Sequence, residues 1–307
     1  CEEAARSADP RITNSEGATL YTQRSSFVYG NSHGFVGGYP TSRHSLSCAV
    51  IGQQDDDMQR DYWYDSNRLP DQLAAPEAIG QRAAERTVAR LGGRKLGTRS
   101  CPVLFRADIA PSLLRSLFAA IRGHAVYRKS TFLLDQVGEQ IFPDWVTVSE
   151  DPLKYRGQAS APFDNEGEAT RFRELISRGV LQGYLLDSYA ARKLGLQSTA
   201  SAGGVRNAGI GTSGQSYESL LQEMDTGLIV TELMGQGTNL VTGDYSRGAA
   251  GFWVEGGEVQ YPVEEITVAG NLRDMFHNLV AVGTDNDVPG SIDTGSWLID
   301  NMTVAGA

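Results

Sequence analysis

What this chain can fold into is constrained most by residues 227–285, which read GLIVTELMGQGTNLVTGDYSRGAAGFWVEGG and continue EVQYPVEEITVAGNLRDMFHNLVAVGTD. β-Branched and aromatic residues come there in short runs, and glycines interrupt nearly all of them. Such runs suit the pleated, half-buried surface of a sheet, while glycine supplies turns and close backbone approaches. Strands are predicted at 227–233, 251–255, 258–261 and 266–269, with a short helix near 271–277. Gly256 and Gly257 predict a type I′ hairpin turn, because both central residues of that turn need positive φ.

The rest of the chain shares this character. With 35 glycines in 307 residues, short strands and loops are favoured over a helical bundle. The length allows a sizeable core and two domains. A net charge of −10 repels phosphate backbones, so direct nucleic-acid binding is not expected. Cys1, Cys48 and Cys101 form no CxxC pair, which argues for free thiols in a reducing compartment, the cytoplasm. No apolar run reaches the roughly 18 residues of a membrane span, and no signal-peptide pattern is visible.

Residues 11–66 predict an antiparallel meander, rich in aromatics and broken by Gly17, Gly30, Gly34 and the Gly37–Gly38–Pro40 group. The tract QQDDD at 53–57 reads as a solvated hairpin tip. It lacks the alternating ligands, glycine and glutamate of a calcium loop. His33 in NSHGF stands in a turn, with its ring placed to cap backbone groups. A helix is predicted over 75–91, with Pro76 in its first turn and Gly92–Gly93 as its stop. Arg82, Arg86, Arg90, Arg94 and Lys95 read as its solvated basic face.

A boundary near 94–100 divides the chain into residues 1–96 and 97–307. The second part opens with a strand at 102–105 and a helix at 111–122, whose buried face is Leu113, Leu114, Leu117, Phe118 and Ile121. Further strands are predicted at 145–148, 180–186 and 297–299, and a helix at 217–224. Strands and helices mix without regular βαβ alternation, so the fold class is α+β: an antiparallel-sheet-rich N-terminal part with one long helix, then a larger β-rich domain with short helices. GTSGQS at 211–216 lacks the lysine of a phosphate-binding loop and reads as plain loop. No GxSxG elbow or Cys–His pattern is present.

Long strings of this sequence resemble the PmbA (TldE) branch of the TldD/PmbA family. They include NSHGF, GYPTSRHSLS, VYRKSTFLLD, PFDNEG, SYAARKLGL, SAGGVRN, DTGLIV, TELMGQG and TGDYSRGAAGFWVE. The resemblance runs over essentially the whole chain and implies a further α/β segment ahead of residue 1. TldD-type members are metalloproteases, with HExxxH on a helix after a strand and a leucine pair, and a cysteine ligand near the C-terminus. Matched through the strand PVLF, Leu113–Leu114 and the string VYRKSTF, the two histidines fall on Arg115 and Ala120 and the glutamate on Ser116. The cysteine is missing as well, since the segment after Asp285 reads NDVPGSIDTGSWLI.

The resemblance therefore implies a chain without metal of its own. Its partner would be a TldD-like subunit holding zinc, in a cytoplasmic heterodimer (a homodimer being the other arrangement), and the complex would cleave unfolded peptides of the microcin-precursor and antitoxin type. The family's older link to DNA gyrase would run through such peptides. Tyr21, Phe27, Tyr29, Phe35 and Tyr39 are candidates both for a partner surface and for the meander's own core. Gly203, Gly204, Gly235 and Gly237 are places where extended peptide could approach the backbone. A second reading is an autonomous metallopeptidase that rebuilds a site on His124 or His277 with Glu232 or Asp244. A third is a non-enzymatic peptide-binding module.

Overall fold

A helix that the residue pattern does not announce, α1 (Glu2–Ala8), leads into the expected meander: β1 (Ile12–Gly30), β2 (Val36–Gln54) and β3 (Asp57–Asn67), antiparallel in the order β1-β2-β3. The computed structural model describes residues 1–286 and 290–306. Residues 287–289, in the segment where the resemblance locates the missing cysteine, lie outside the described residues, as does residue 307. The β2–β3 turn falls at Asp55–Asp56, as the acidic tract predicts. Helix α2 (Pro76–Ala89) begins on its proline and buries Ile79, Ala83 and Ala84 against Ile12, Cys48 and Val50 of the sheet. The NSHGF turn differs in detail from expectation. Asn31 Oδ1, not the His33 ring, caps it, accepting from the amides of His33 (3.1 Å) and Phe35 (3.2 Å).

The second part runs β4 (Arg99–Phe105), α3 (Pro111–Ala120), α4 (Gly123–Tyr127), β5 (Val148–Glu150), β6 (Arg173–Ser177), β7 (Val180–Leu181), α5 (Ser188–Leu194), β8 (Ala208–Ile210) and α6 (Tyr217–Met224). It continues with β9 (Gly227–Met234), β10 (Asp244–Glu255), β11 (Glu258–Asn271), α7 (Leu272–His277), β12 (Leu279–Val282), β13 (Ile292–Asp293) and β14 (Trp297–Ala305). One sheet has the order β11-β10-β9-β4-β14-β12, and β14 pairs again with β11 at Val268↔Val304, so five strands close into a ring. A smaller sheet, β13-β8-β5-β6-β7, stands beside it. Both helices and sheets are present without βαβ repetition, as the α+β reading expects.

Successive residues of the ring strands serve two cores. Val103, Phe105, Leu228, Val230 and Ile299 join the main cluster with Leu113, Leu114 and Leu117 of α3. The residues between them, Leu104, Ile229 and Leu298, pack with Leu220, Leu221 and Met224 of α6. A strand buried on both faces has no polar alternation, which is why PVLF and GLIV read as unbroken apolar runs. Phe142 stacks on Phe276 at 4.7 Å and meets Trp297 edge-on, filling the main core with aromatic rings.

Several expectations need correction. The strands predicted at 258–261 and 266–269 are one strand, β11, whose ladder with β10 slips between Val263 and Ile266; Glu265 there has φ of 52°. A bulge of this kind bends a strand without ending it. The run 180–186 keeps only Val180–Leu181 as strand, and 145–148 gives way to Val148–Glu150. Helix α5 was signalled by Asp187, whose Oδ1 caps the Ala190 amide at 2.7 Å, and by Gly195 as a left-handed stop.

The basic face of α2 is only partly solvated: Arg82, Arg94 and Lys95 are exposed, whereas Arg86 and Arg90 are half-buried. Arg86 lies between Asp61 of β3 (3.4 Å) and Asp108 (2.7 Å), with its side chain 9% exposed. Arg90 reaches Glu232 of β9 at 2.5 Å, and Arg94 stacks on the Tyr261 ring at 4.6 Å while its amide bonds Pro262 O. These cations tie the meander and its helix to the ring. Burial pushes the Asp108 carboxyl up, but Arg106 and Arg86 outweigh it and leave the group below its ordinary value. Its stabilisation is therefore present above the unfolded carboxyl value near ~3.9 and is lost as pH falls through the folded one. Asp108→Asn is expected to cost about 3 kcal/mol at neutral pH, the lower end for a broken buried pair because Asp61 still faces Arg86. Urea unfolding of the two proteins checks this. The gap must also narrow as pH falls from ~4 through the lower folded value, where Asp108 takes up its proton.

Beyond β3 the β1–β2 hairpin continues alone, and one ring packs against several side chains of its far end. Phe163 lies 5.0 Å from Phe35, 5.4 Å from Tyr39 and 6.0 Å from Phe27. Phe163→Ala should raise amide exchange in residues 27–39, since it removes the ring that Phe27, Phe35 and Tyr39 share, while α3 keeps its protection. Unchanged exchange at the hairpin end would show that it is held otherwise.

Candidate functional site

Helix α3 is built by an apolar stripe on a proline start, and this decides where its remaining side chains go. At 3.6 residues per turn, positions 115 and 120 lie about 140° apart around the axis. Arg115 is exposed, Ser116 is half-buried with Oγ donating to Ser112 O at 3.1 Å, and Ala120 is fully buried in the main core. The three positions matched to HExxxH thus do not share one wall. Arg115 instead lines a pocket of about 250 Å³ with Phe118, Ala119 and Arg122 of its own region and Gly204 and Val205 opposite.

Gly204, expected to meet peptide, is therefore beside Arg115, whereas its neighbour Gly203 faces Asn165 within the chain. Gly235 turns at the end of β9 with φ of 72°. Gly237 is close-packed for an internal reason: a Cβ there would stand 1.6 Å from Ser246 O, and its own carbonyl accepts from the Ser246 amide. That glycine accommodates β10 rather than a ligand. Tyr29 and Phe35 are half-buried: their rings stand 6.1 Å apart, and Phe35 meets Phe163. Of Tyr21, Phe27, Tyr29, Phe35 and Tyr39, Tyr21 is the exposed one at 47%.

His124 is exposed on α4 and His277 is exposed at the end of α7. The carboxylates considered for them are engaged elsewhere, Glu232 with Arg90 and Asp244 with Thr242 and Asn271. Among the described residues, no group of three His, Cys, Asp or Glu side chains is arranged to hold a metal ion. Burial and then the positive charges of Arg122 and Arg128 push the His124 imidazole below its ordinary value. The surface around α3 and α4 is electropositive, a property that the separate positions of Arg115, Arg122 and Arg128 do not reveal until the helices fold.

Two family models match the chain. The PmbA/TldA metallopeptidase central domain covers residues 1–91 and the PmbA/TldA metallopeptidase C-terminal domain covers 98–306. The chain belongs to the PmbA/TldD family. It is 53% identical over 305 residues to metalloprotease PmbA of Escherichia coli O157:H7, spanning 99% of this chain and 68% of that protein. A PmbA homolog of Haemophilus influenzae is 49% identical over 308 residues, again 99% and 68%. Among solved structures, one named for a modulator of a DNA gyrase from Thermotoga maritima MSB8 matches with TM-score 0.91 and 31% identity, over 99% of this chain and 72% of that one. TldE from Thermococcus kodakarensis shares the fold at TM-score 0.86 and 22% identity, over 99% and 72%.

The family descriptions imply a metal, and the residues that α3 presents do not fit one. Arginine stays protonated and offers no lone pair. The Ser116 hydroxyl is spent on its own helix, and Ala120 points into a close-packed core. The burial of His124 and its arginine neighbours have a measurable consequence: its NMR titration midpoint should lie below the ordinary ~6.5. A midpoint above that value would show that a carboxylate, not Arg122 and Arg128, dominates its surroundings.

Proposed function

We propose that this chain is a PmbA-type, catalytically silent subunit of a peptide-cleaving complex. A TldD-like partner supplies the zinc and the general base, and this chain walls part of the shared chamber. The observation that carries the reading is α3, where Arg115, Ser116 and Ala120 stand at the positions matched to HExxxH and face three different environments. A permanent cation at 115 disfavours a divalent ion, and a fully buried alanine at 120 leaves no room for an imidazole without repacking the core.

The substrates of such a complex are unfolded or extended peptides, and its setting is the cytoplasm. Among the described residues, no helix is long and apolar enough to cross a membrane. The net charge of −10 favours a link to gyrase through peptides rather than through DNA.

Metal analysis and a peptidase assay on the purified chain, alone and mixed with a TldD-like subunit, test the proposal. Expected are no stoichiometric zinc and no cleavage alone, then co-elution with the partner on a sizing column and cleavage by the mixture. Stoichiometric zinc together with cleavage by the isolated chain would overturn it.

A further inference from the structure

A cavity of about 830 Å³ lies away from α3, between the β1–β2 hairpin and the loop 152–162. Its size falls within the roughly 300–1,000 Å³ of pockets that enclose a ligand. Arg24, Arg68, Lys154 and Arg156 line it, and the described lining residues include no aspartate or glutamate. That is a concentrated positive field in a chain of net charge −10.

The four cations play different parts. Arg68 is spent on structure: Nε donates to Gly157 O and Nη2 to Gln158 O, both at 3.0 Å, and Nη1 to Ser42 O at 3.3 Å and to Thr41. It pins the loop to the hairpin and so makes the cavity. Lys154 is shared with Asp293 at 3.6 Å across an exposed gap. Arg24 and Arg156 have no carboxylate partner among the described residues; Arg156 stacks on the Tyr155 ring at 4.9 Å. At the mouth, Tyr155 is 83% and Leu153 60% exposed.

The backbone adds a second feature. Strand β3 leaves the sheet at Asn67, opposite His44, so residues 36–43 of β2 pair with β1 only. Ser42 O accepts from Arg68, so it faces away from β1, and the alternation of a ladder turns the backbone of Pro40 and Gly38 the same way. Pro40 has no amide to donate, so this edge is a poor template for a continuous ladder with another sheet. The amide of Ser42, which lines the cavity, remains as a donor on this edge.

We infer that this cavity binds an acidic stretch of extended polypeptide. Its carboxylates meet Arg24 and Arg156, its apolar or aromatic side chains rest on Tyr155 and Leu153, and its backbone takes bonds from the open edge of β2. The inference goes beyond the silent-subunit reading and holds whether or not the chain binds metal. Binding is read on this chain alone, so its failure leaves that reading standing.

Fluorescence anisotropy with two labelled peptides of equal length tests it, one alternating glutamate with threonine and the other lysine with threonine. The acidic peptide is expected to bind, more weakly as salt is raised, and the basic one not to. Arg24→Glu with Arg156→Glu should weaken acidic-peptide binding about tenfold or more, because like charges are then opposed, and should admit the basic peptide. Arg192→Glu, exposed on α5, should change neither. If the reversed protein melts early, Arg24→Gln with Arg156→Gln replaces it, with the same loss expected for the acidic peptide. The inference is overturned if both peptides bind alike, if the charge-altered protein binds the acidic peptide as the parent does, or if inorganic phosphate or free glutamate competes as well as unlabelled peptide.

Discussion

Closure of the ring between β11 and β14 is the constraint on which the rest of the structure depends. The two strands meet over three register pairs, 267↔305, 268↔304 and 269↔303, and that seam leaves five strands of the large sheet without an open edge inside the ring. Val268 and Val304 at the seam are fully buried. Once the ring is closed, residues alternate between two cores, and α3 and α6 each have an apolar surface to cover. The bulge at Glu265 belongs to the same constraint, since β11 must bend to pair with β10 along one side and β14 along the other.

Attachment of the N-terminal meander to this ring is chemically different. It rests on buried charge near the base, Arg86 between Asp61 and Asp108, and on a ring cluster around Phe163 near the far end. Buried ion pairs contribute little net stability but penalise every arrangement that breaks them, so they fix relative position more than they add strength. Between these two anchors the hairpin spans a gap, and the cavity lined by Arg24 and Arg156 is that gap.

In the α3 region the fold rests on the apolar stripe rather than on the polar positions. The leucines that bury the helix are all present, and the ring beneath it is complete, so the fold loses nothing when polar positions on the helix change. A buried alanine at 120 even packs better than an imidazole would, because close-packed interiors penalise added volume.

Local pattern alone determined much of this protein. The meander, the acidic turn at Asp55–Asp56, helices α2, α3, α6 and α7 and the Gly256–Gly257 turn, whose φ angles are 62° and 74°, all follow from periodicity, caps and glycine. So does the family, because long strings of residues carry it. The sequence also showed which side chains stand at 115, 116 and 120, but not that they face solvent, their own helix and the core. Tertiary structure alone decided that β11 is one bent strand, that Arg86 and Arg90 are pinned rather than solvated, and that Arg24 and Arg156, 132 residues apart in sequence, share a cavity. The physical reason is range: hydrogen-bonded turns and helix caps act within a few residues, whereas burial and electrostatic fields depend on which distant segments the closed ring brings together.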